Sequence, residues 1–141
     1  MPTRKASAVW QGGLKGGKGT FKGETGLGGA YNFGSRFENG TGSNPEELLA
    51  AAEAACFSMA FSGALEKNGT PPTSVETNAA CTVEKVGDGF TISKMALTVN
   101  AKVPGIAKDA FDKIAAATKD GCPVSRALKG VDIQVQANLT Q

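Results

Sequence analysis

Two cysteines are the residues of this chain best suited to covalent chemistry. Cys56 lies in the nearly all-apolar run Leu48-Leu49-Ala50-Ala51-Ala52-Glu53-Ala54-Ala55-Cys56-Phe57-Ser58-Met59-Ala60, and Cys122 lies in Gly121-Cys122-Pro123-Val124-Ser125. The chain contains no histidine. That removes Ser/His/Asp and Cys/His catalysis and every histidine-liganded metal site. Any covalent chemistry then falls first to a thiolate activated by something other than an imidazole.

A cysteine among apolar neighbours packs like a small hydrophobe and stays inert unless a cation or dipole stabilises its thiolate. For Cys56 the candidate cation is Arg36, which stays protonated at neutral pH and otherwise reads as a solvated loop residue. Glu47 is placed to hold Arg36 through a bidentate pair, or equally to serve as a capping-box side chain. Glu47 and Cys56 are nine residues apart, so a straight helix points them about 180° apart with roughly 13 Å between them along the axis. Both can serve one small site only if the helix is broken or Glu47 comes from a second subunit. Cys122 precedes proline at an expected helix N-terminus, where exposed N–H groups favour a thiolate. The two cysteines could close a reversible disulfide if their Cα atoms come within about 7 Å. Cys81 falls on the apolar face of an expected strand and reads as structural.

The elements that must position these residues follow from periodicity and punctuation. Residues 4–11 alternate and 20–24 return after Gly12-Gly13 and Gly16-Gly17, predicting an N-terminal hairpin. Gly12-x4-Gly17-Lys18 resembles a phosphate loop, but Gly19 stands where Ser or Thr is required and no helix follows, so it reads as the hairpin connection. Residues 26–43 are glycine-rich and read as a long loop. Asn44 as cap, Pro45 at the first helical position and Glu47 three residues after the cap start a helix predicted over 45–67, ending at Asn68-Gly69. Between 48 and 65 this helix is apolar on nearly every face, so it should be buried on most sides. One small chain covers such a helix with difficulty, and a second chain is expected to help. Strands follow at 74–86 and 90–103, joined by Gly87-Asp88-Gly89, with an irregular apolar spacing that leaves room for a bulge. An amphipathic helix over 107–119, a short helix from Cys122 to Leu128 and a last strand over 131–139 complete the order β-β-α-β-β-α-α-β. This is an α+β chain with antiparallel hairpins.

The 141 residues are most simply one domain, 1–141, long enough for a real core. A net charge of +2, without a clustered basic surface, argues against a nucleic-acid partner. Met1-Pro2-Thr3-Arg4-Lys5 leads into polar, alternating residues rather than an apolar run, so no secretory signal is expected. Glu53 interrupts the apolar segment, so no membrane helix is expected. The expected location is the cytoplasm. Three widely spaced cysteines make neither a secreted disulfide framework nor a C-x-x-C metal or redox motif.

Four separated blocks carry a resemblance: Ser35-Arg36-Phe37-Glu38; Gly42-Ser43-Asn44-Pro45-Glu46-Glu47-Leu48-Leu49; Ala54-Ala55-Cys56-Phe57-Ser58-Met59-Ala60; and Gly121-Cys122-Pro123-Val124-Ser125. Together with Val103-Pro104-Gly105-Ile106 they resemble the OsmC/Ohr family of osmotically inducible and organic-hydroperoxide-resistance proteins, and the OsmC branch in particular. The resemblance implies an OsmC-like fold, with antiparallel hairpins packed on a long buried central helix. It also implies an intertwined homodimer with sites at the subunit interface, and thiol-dependent reduction of organic hydroperoxides and hydrogen peroxide. Cys56 resembles the peroxidatic cysteine, Cys122 the resolving one, and Arg36 and Glu47 the pair that activates the thiolate. The implied cycle passes through a Cys56 sulfenic acid and a Cys56–Cys122 disulfide. It needs no cofactor beyond an external thiol or dithiol reductant, such as a lipoyl protein or a small dithiol. Glu53 departs from the pattern, standing where the OsmC branch often carries histidine; it could repel a thiolate or face away. The alternatives are a non-catalytic stress-induced binding protein and a thiol redox sensor.

Overall fold

The computed structural model describes residues 1–140. The chain forms two compact units, Met1–Glu47 and the remainder from Leu48.

In the first unit β1 (Ala6–Gln11), β2 (Lys18–Gly23) and β3 (Gly28–Tyr31) form an antiparallel sheet in the order β1-β2-β3. The Gly12–Gly17 segment is indeed the β1–β2 connection. A Cβ at Gly17 would fall 2.3 Å from the Gly13 carbonyl oxygen and 2.7 Å from Trp10 Nε1, so the Trp10 ring closes over a position only glycine fits. The segment expected as one long loop contains β3 and a short helix, α1 (Phe33–Phe37). α1 is held by a reciprocal cap: the Ser35 N–H donates to Asn32 Oδ1 and the Asn32 N–H donates to Ser35 Oγ.

Helix α2 runs from Pro45 to Lys67, as its sequence signals predict, and is unbroken. Asn44 Oδ1 accepts from the Glu47 N–H at 2.8 Å, while Asn44 Nδ2 donates to the Ser35 carbonyl at 3.0 Å. One side chain thus caps α2 and ties α1 to it. At the far end Gly69 takes φ +84°, with Gly69 N–H bonded to Glu66 O and Thr70 N–H to Leu65 O, a Schellman stop. By length and composition α2 could cross a membrane. Its four-residue row Glu53, Phe57, Phe61 and Leu65 is instead fully buried in protein. The expectation of burial on most sides does not hold within one chain: Ala51, Ala52, Ala55 and Met59 lie exposed, Met59 at 81%.

The second sheet has β5 (Gly89–Lys102) at its centre, flanked by β4 (Ser74–Val86) and β6 (Asp132–Thr140). β4 and β5 form a hairpin through Gly87 and Asp88, with Gly87 at φ +62°. The register steps between Thr82 and Val83, skipping Ser93. This bulge carries the apolar face from Ile92 across to Met95. β6 does not extend the antiparallel pattern; it pairs parallel to β5, with Met95 opposite Ile133 and Val99 opposite Ala137. A parallel partner needs a crossover, and α3 (Lys108–Gly121) with α4 (Pro123–Ala127) provides it. Met95, Leu97, Val99 and Ala101 of β5 cluster with Phe57, Phe61 and Leu65 of α2 and Phe111 and Ala115 of α3. Phe61 sits between Phe57 and Phe111, at ring centroid distances of 5.6 and 5.3 Å. Phe61→Ala should therefore lower stability by about 3–5 kcal/mol, read as a shift of the urea midpoint at unchanged slope.

Candidate functional site

Cys122 occupies a junction of two helices. It ends α3, its N–H bonding Thr118 O at 2.9 Å, and begins α4, its carbonyl accepting from the Arg126 N–H at 2.9 Å. Pro123 at the first position of α4 excludes helical backbone at the residue before it, and Cys122 takes φ −57°, ψ 127°. The side chain is fully buried. On α2 the direction of Cys56 is set by its neighbour: Phe57 is locked in the core, so Cys56 lies at the edge of the buried stripe, half-buried.

These two constraints bring the thiols together across 66 residues of sequence, Cys122 Sγ to Cys56 Sγ at 2.8 Å. Both are present as thiols, and the separation exceeds a covalent S–S bond of about 2.05 Å. A third group belongs to the cluster. Glu53, one helical turn before Cys56, does not face away; it is fully buried. Its Oε1 accepts a hydrogen bond from Ser125 Oγ on α4 and lies 4.0 Å from Cys122 Sγ. The sequence signal for Glu53 was the four-residue row it shares with Phe57, Phe61 and Leu65; Ser125 carried none beyond its place beside Cys122.

The thiol of Cys56 is pushed up from its ordinary pKa, first by burial, then by its contact with the Cys122 thiol; the Val124 N–H opposes this, and the Cys122 and Glu53 charges add to it. The exposed amide at the start of α4 thus serves Cys56, where the sequence suggested a benefit to Cys122. None of the groups acting on Cys56 here is a cation.

The expected cation, Arg36, lies on α1 of the first unit. The carboxylate that holds it is Glu46, not Glu47: Arg36 Nη2 and Nε donate to Glu46 Oε1 at 3.0 and 3.1 Å. Glu46 is buried and Arg36 about one-third exposed. Glu47 is committed elsewhere, its Oε2 accepting from Ser43 Oγ at 2.6 Å. The reason is the cap. Glu47 is the third helical residue, which leans back toward the residues before α2, whereas the second, Glu46, is left to meet α1. Arg36 also stacks on Phe37, its guanidinium carbon 4.9 Å from the ring centroid. A cavity of about 260 Å³ is lined by Trp10, Leu14, Tyr31, Phe33 and Phe37 together with Arg36. Phe57, next to Cys56 in the sequence, is packed in the core. Cys81 packs, half-buried, against the core from β4.

An α+β chain that brings two thiols into contact is, as a class, a dithiol protein. The profile of the family described as OsmC-like protein matches residues 38–136. The chain is 48% identical over 128 residues to Peroxiredoxin OsmC of Escherichia coli strain K12, covering 89% of this chain and 90% of that one. It is 33% identical over 101 residues to the organic hydroperoxide resistance protein OhrB of Bacillus subtilis strain 168, covering 70% and 72%. Its fold matches the crystal structure of an OsmC-like protein from Mycoplasma pneumoniae with a TM-score of 0.76 at 14% identity, over 99% of both chains. The chain belongs to the OsmC family.

The geometry predicts the pairing that mild oxidation of the reduced protein will give. Peptide mapping should find Cys56 joined to Cys122, with Cys81 still alkylatable; a substantial yield of any bond to Cys81 would contradict the arrangement.

Proposed function

We propose that this chain is a cysteine-based peroxidase that reduces organic hydroperoxides, and hydrogen peroxide as well, with Cys56 as the peroxidatic and Cys122 as the resolving cysteine. The observation that carries the reading is the 2.8 Å contact between the two sulfurs. The names of the E. coli and B. subtilis relatives, a peroxiredoxin and an organic hydroperoxide resistance protein, support the same activity.

The Cys56 thiolate attacks the distal oxygen of ROOH. The O–O bond breaks, the sulfur is oxidised to sulfenic acid and the alkoxide leaves as an alcohol after taking a proton. Cys122 then attacks the sulfenic sulfur; the S–O bond breaks, the disulfide forms and water leaves. Two equivalents of an external thiol, or one dithiol of the kind a lipoyl protein carries, return both cysteines to thiols by exchange. No resident cofactor is invoked.

The groups within the second unit raise the pKa of Cys56, so the thiolate needs a cation, and Arg36 is that cation in this reading. Glu46, rather than Glu47, orients it. The aromatic cavity beside Arg36 suits an alkyl or aryl peroxide better than hydrogen peroxide.

The working form is a homodimer. The open face of α2, Ala51, Ala52, Ala55 and Met59, is an apolar stripe of the kind a partner covers. Within the first unit only Gly19, Ser35 and Glu46 are buried, too little for a core of its own. Both features fit chains that complete each other, in a reducing compartment such as the cytoplasm.

Cumene hydroperoxide consumption with a dithiol as reductant tests the activity. Cys56→Ser should abolish turnover; activity equal to wild type would return Cys56 to a packing role. Arg36→Met and Glu46→Gln should lower kcat/KM by about ten- to a hundredfold, and Glu47→Gln by distinctly less. Light scattering should give the mass of two chains, and Met59→Glu should shift it toward one.

A further inference from the structure

Glu53 has no role in the peroxidase cycle described above, yet its position is costly. A fully buried carboxylate loses its hydration and needs partners for both oxygens. Oε1 has the Ser125 hydroxyl; Oε2, equally buried, has no hydrogen-bond partner among the described residues. If the side chain served only to hold α4 through Ser125, an amide oxygen would do so without burying a charge. What the carboxylate adds is a proton-accepting group beside Cys122, with Oε1 4.0 Å from the sulfur. Ser125 lies on the same short helix that Cys122 begins, so its hydroxyl holds the carboxylate toward that sulfur.

We propose that Glu53 is a third catalytic residue, the proton acceptor for Cys122 in disulfide closure; this rests on the reading of Cys56 and Cys122 as peroxidatic and resolving cysteines. The carboxylate takes the Cys122 thiol proton as that sulfur attacks the Cys56 sulfenic acid. The new S–S bond replaces the S–O bond, one sulfur being oxidised and the other reduced. The proton passes from Glu53 to the departing hydroxide, which leaves as water, and the carboxylate is regenerated. The oxidant is the hydroperoxide already consumed. The residue acts on the second step and not on the first, since the species it serves is the attacking thiol of Cys122.

The test follows the two steps separately after one equivalent of cumene hydroperoxide. Sulfenic acid is caught with dimedone at timed intervals, and disulfide is measured by mass after alkylation. Glu53→Gln keeps an acceptor for Ser125 while removing the proton acceptor. Its sulfenic acid should form at least as fast as in the wild type, because a charge that raises Cys56 is gone. Its disulfide should close about a hundredfold more slowly, so that dimedone adduct accumulates. Glu53→Asp should recover closure to within about tenfold of wild type, which a purely steric role for Glu53 would not give. Wild-type closure should also be slower in heavy water, a measurement that needs no variant to fold. Closure at the wild-type rate in Glu53→Gln, or wild-type closure equally fast in heavy and light water, overturns the proposal. Absence of sulfenic acid in the wild type overturns the peroxidase reading itself, and this proposal with it.

Discussion

The approach of two sulfur atoms depends on how two helices are prevented from turning. α2 is fixed in rotation by Phe57, Phe61 and Leu65, each fully buried against β5 and α3. A shift of one residue along α2 would swing Cys56 by about 100°. On the other side, Pro123 forces an extended residue between α3 and α4, and that residue is Cys122. The core therefore sets the thiol geometry, with Cys122 buried within it and Cys56 at its edge. The same two constraints bring Glu53 and Ser125 into the cluster, because each lies one turn or less from its cysteine.

The two thiols and the ordered arginine belong to different units of this chain. The second unit carries both sulfurs, and burial and neighbouring groups there push the Cys56 thiol up. In the first unit Arg36 is held by a buried carboxylate and stacked on an aromatic ring. An arginine bound in this way retains its charge and its direction, whereas a free arginine on a glycine-rich loop would be spread over many rotamers.

What the sequence made legible was what is specified locally. The bounds of α2 follow from Asn44, Pro45 and Gly69, each acting within a turn of its own position. The β4–β5 hairpin follows from Gly87-Asp88, and its bulge from the change of apolar phase between Ile92 and Met95. The features that escaped are specified by distant partners. β3 is four residues of Gly28–Tyr31, too short to alternate, and exists by pairing with β2. α1 is five residues held by its own cap and by Asn44, the cap of the following helix. Alternation along β6 is the same for a parallel or antiparallel neighbour, so its direction was invisible. The choice between Glu46 and Glu47 turned on which of two adjacent carboxylates the cap had already engaged. Glu53 was seen as an exception to a pattern, and only the fold showed that the exception faces inward, onto the Cys122 thiol.

The parallel pairing of β5 with β6 has a consequence for synthesis. The α3–α4 crossover that carries Cys122 is anchored at one end by β5 and at the other by β6, which leaves the ribosome after Cys122 does. Until that strand pairs, the crossover is held by β5 and by the packing of Phe111 and Ala115 on α2, without its second sheet anchor. The arrangement of the thiol pair thus depends on a strand, Asp132–Thr140, that follows both cysteines in the sequence.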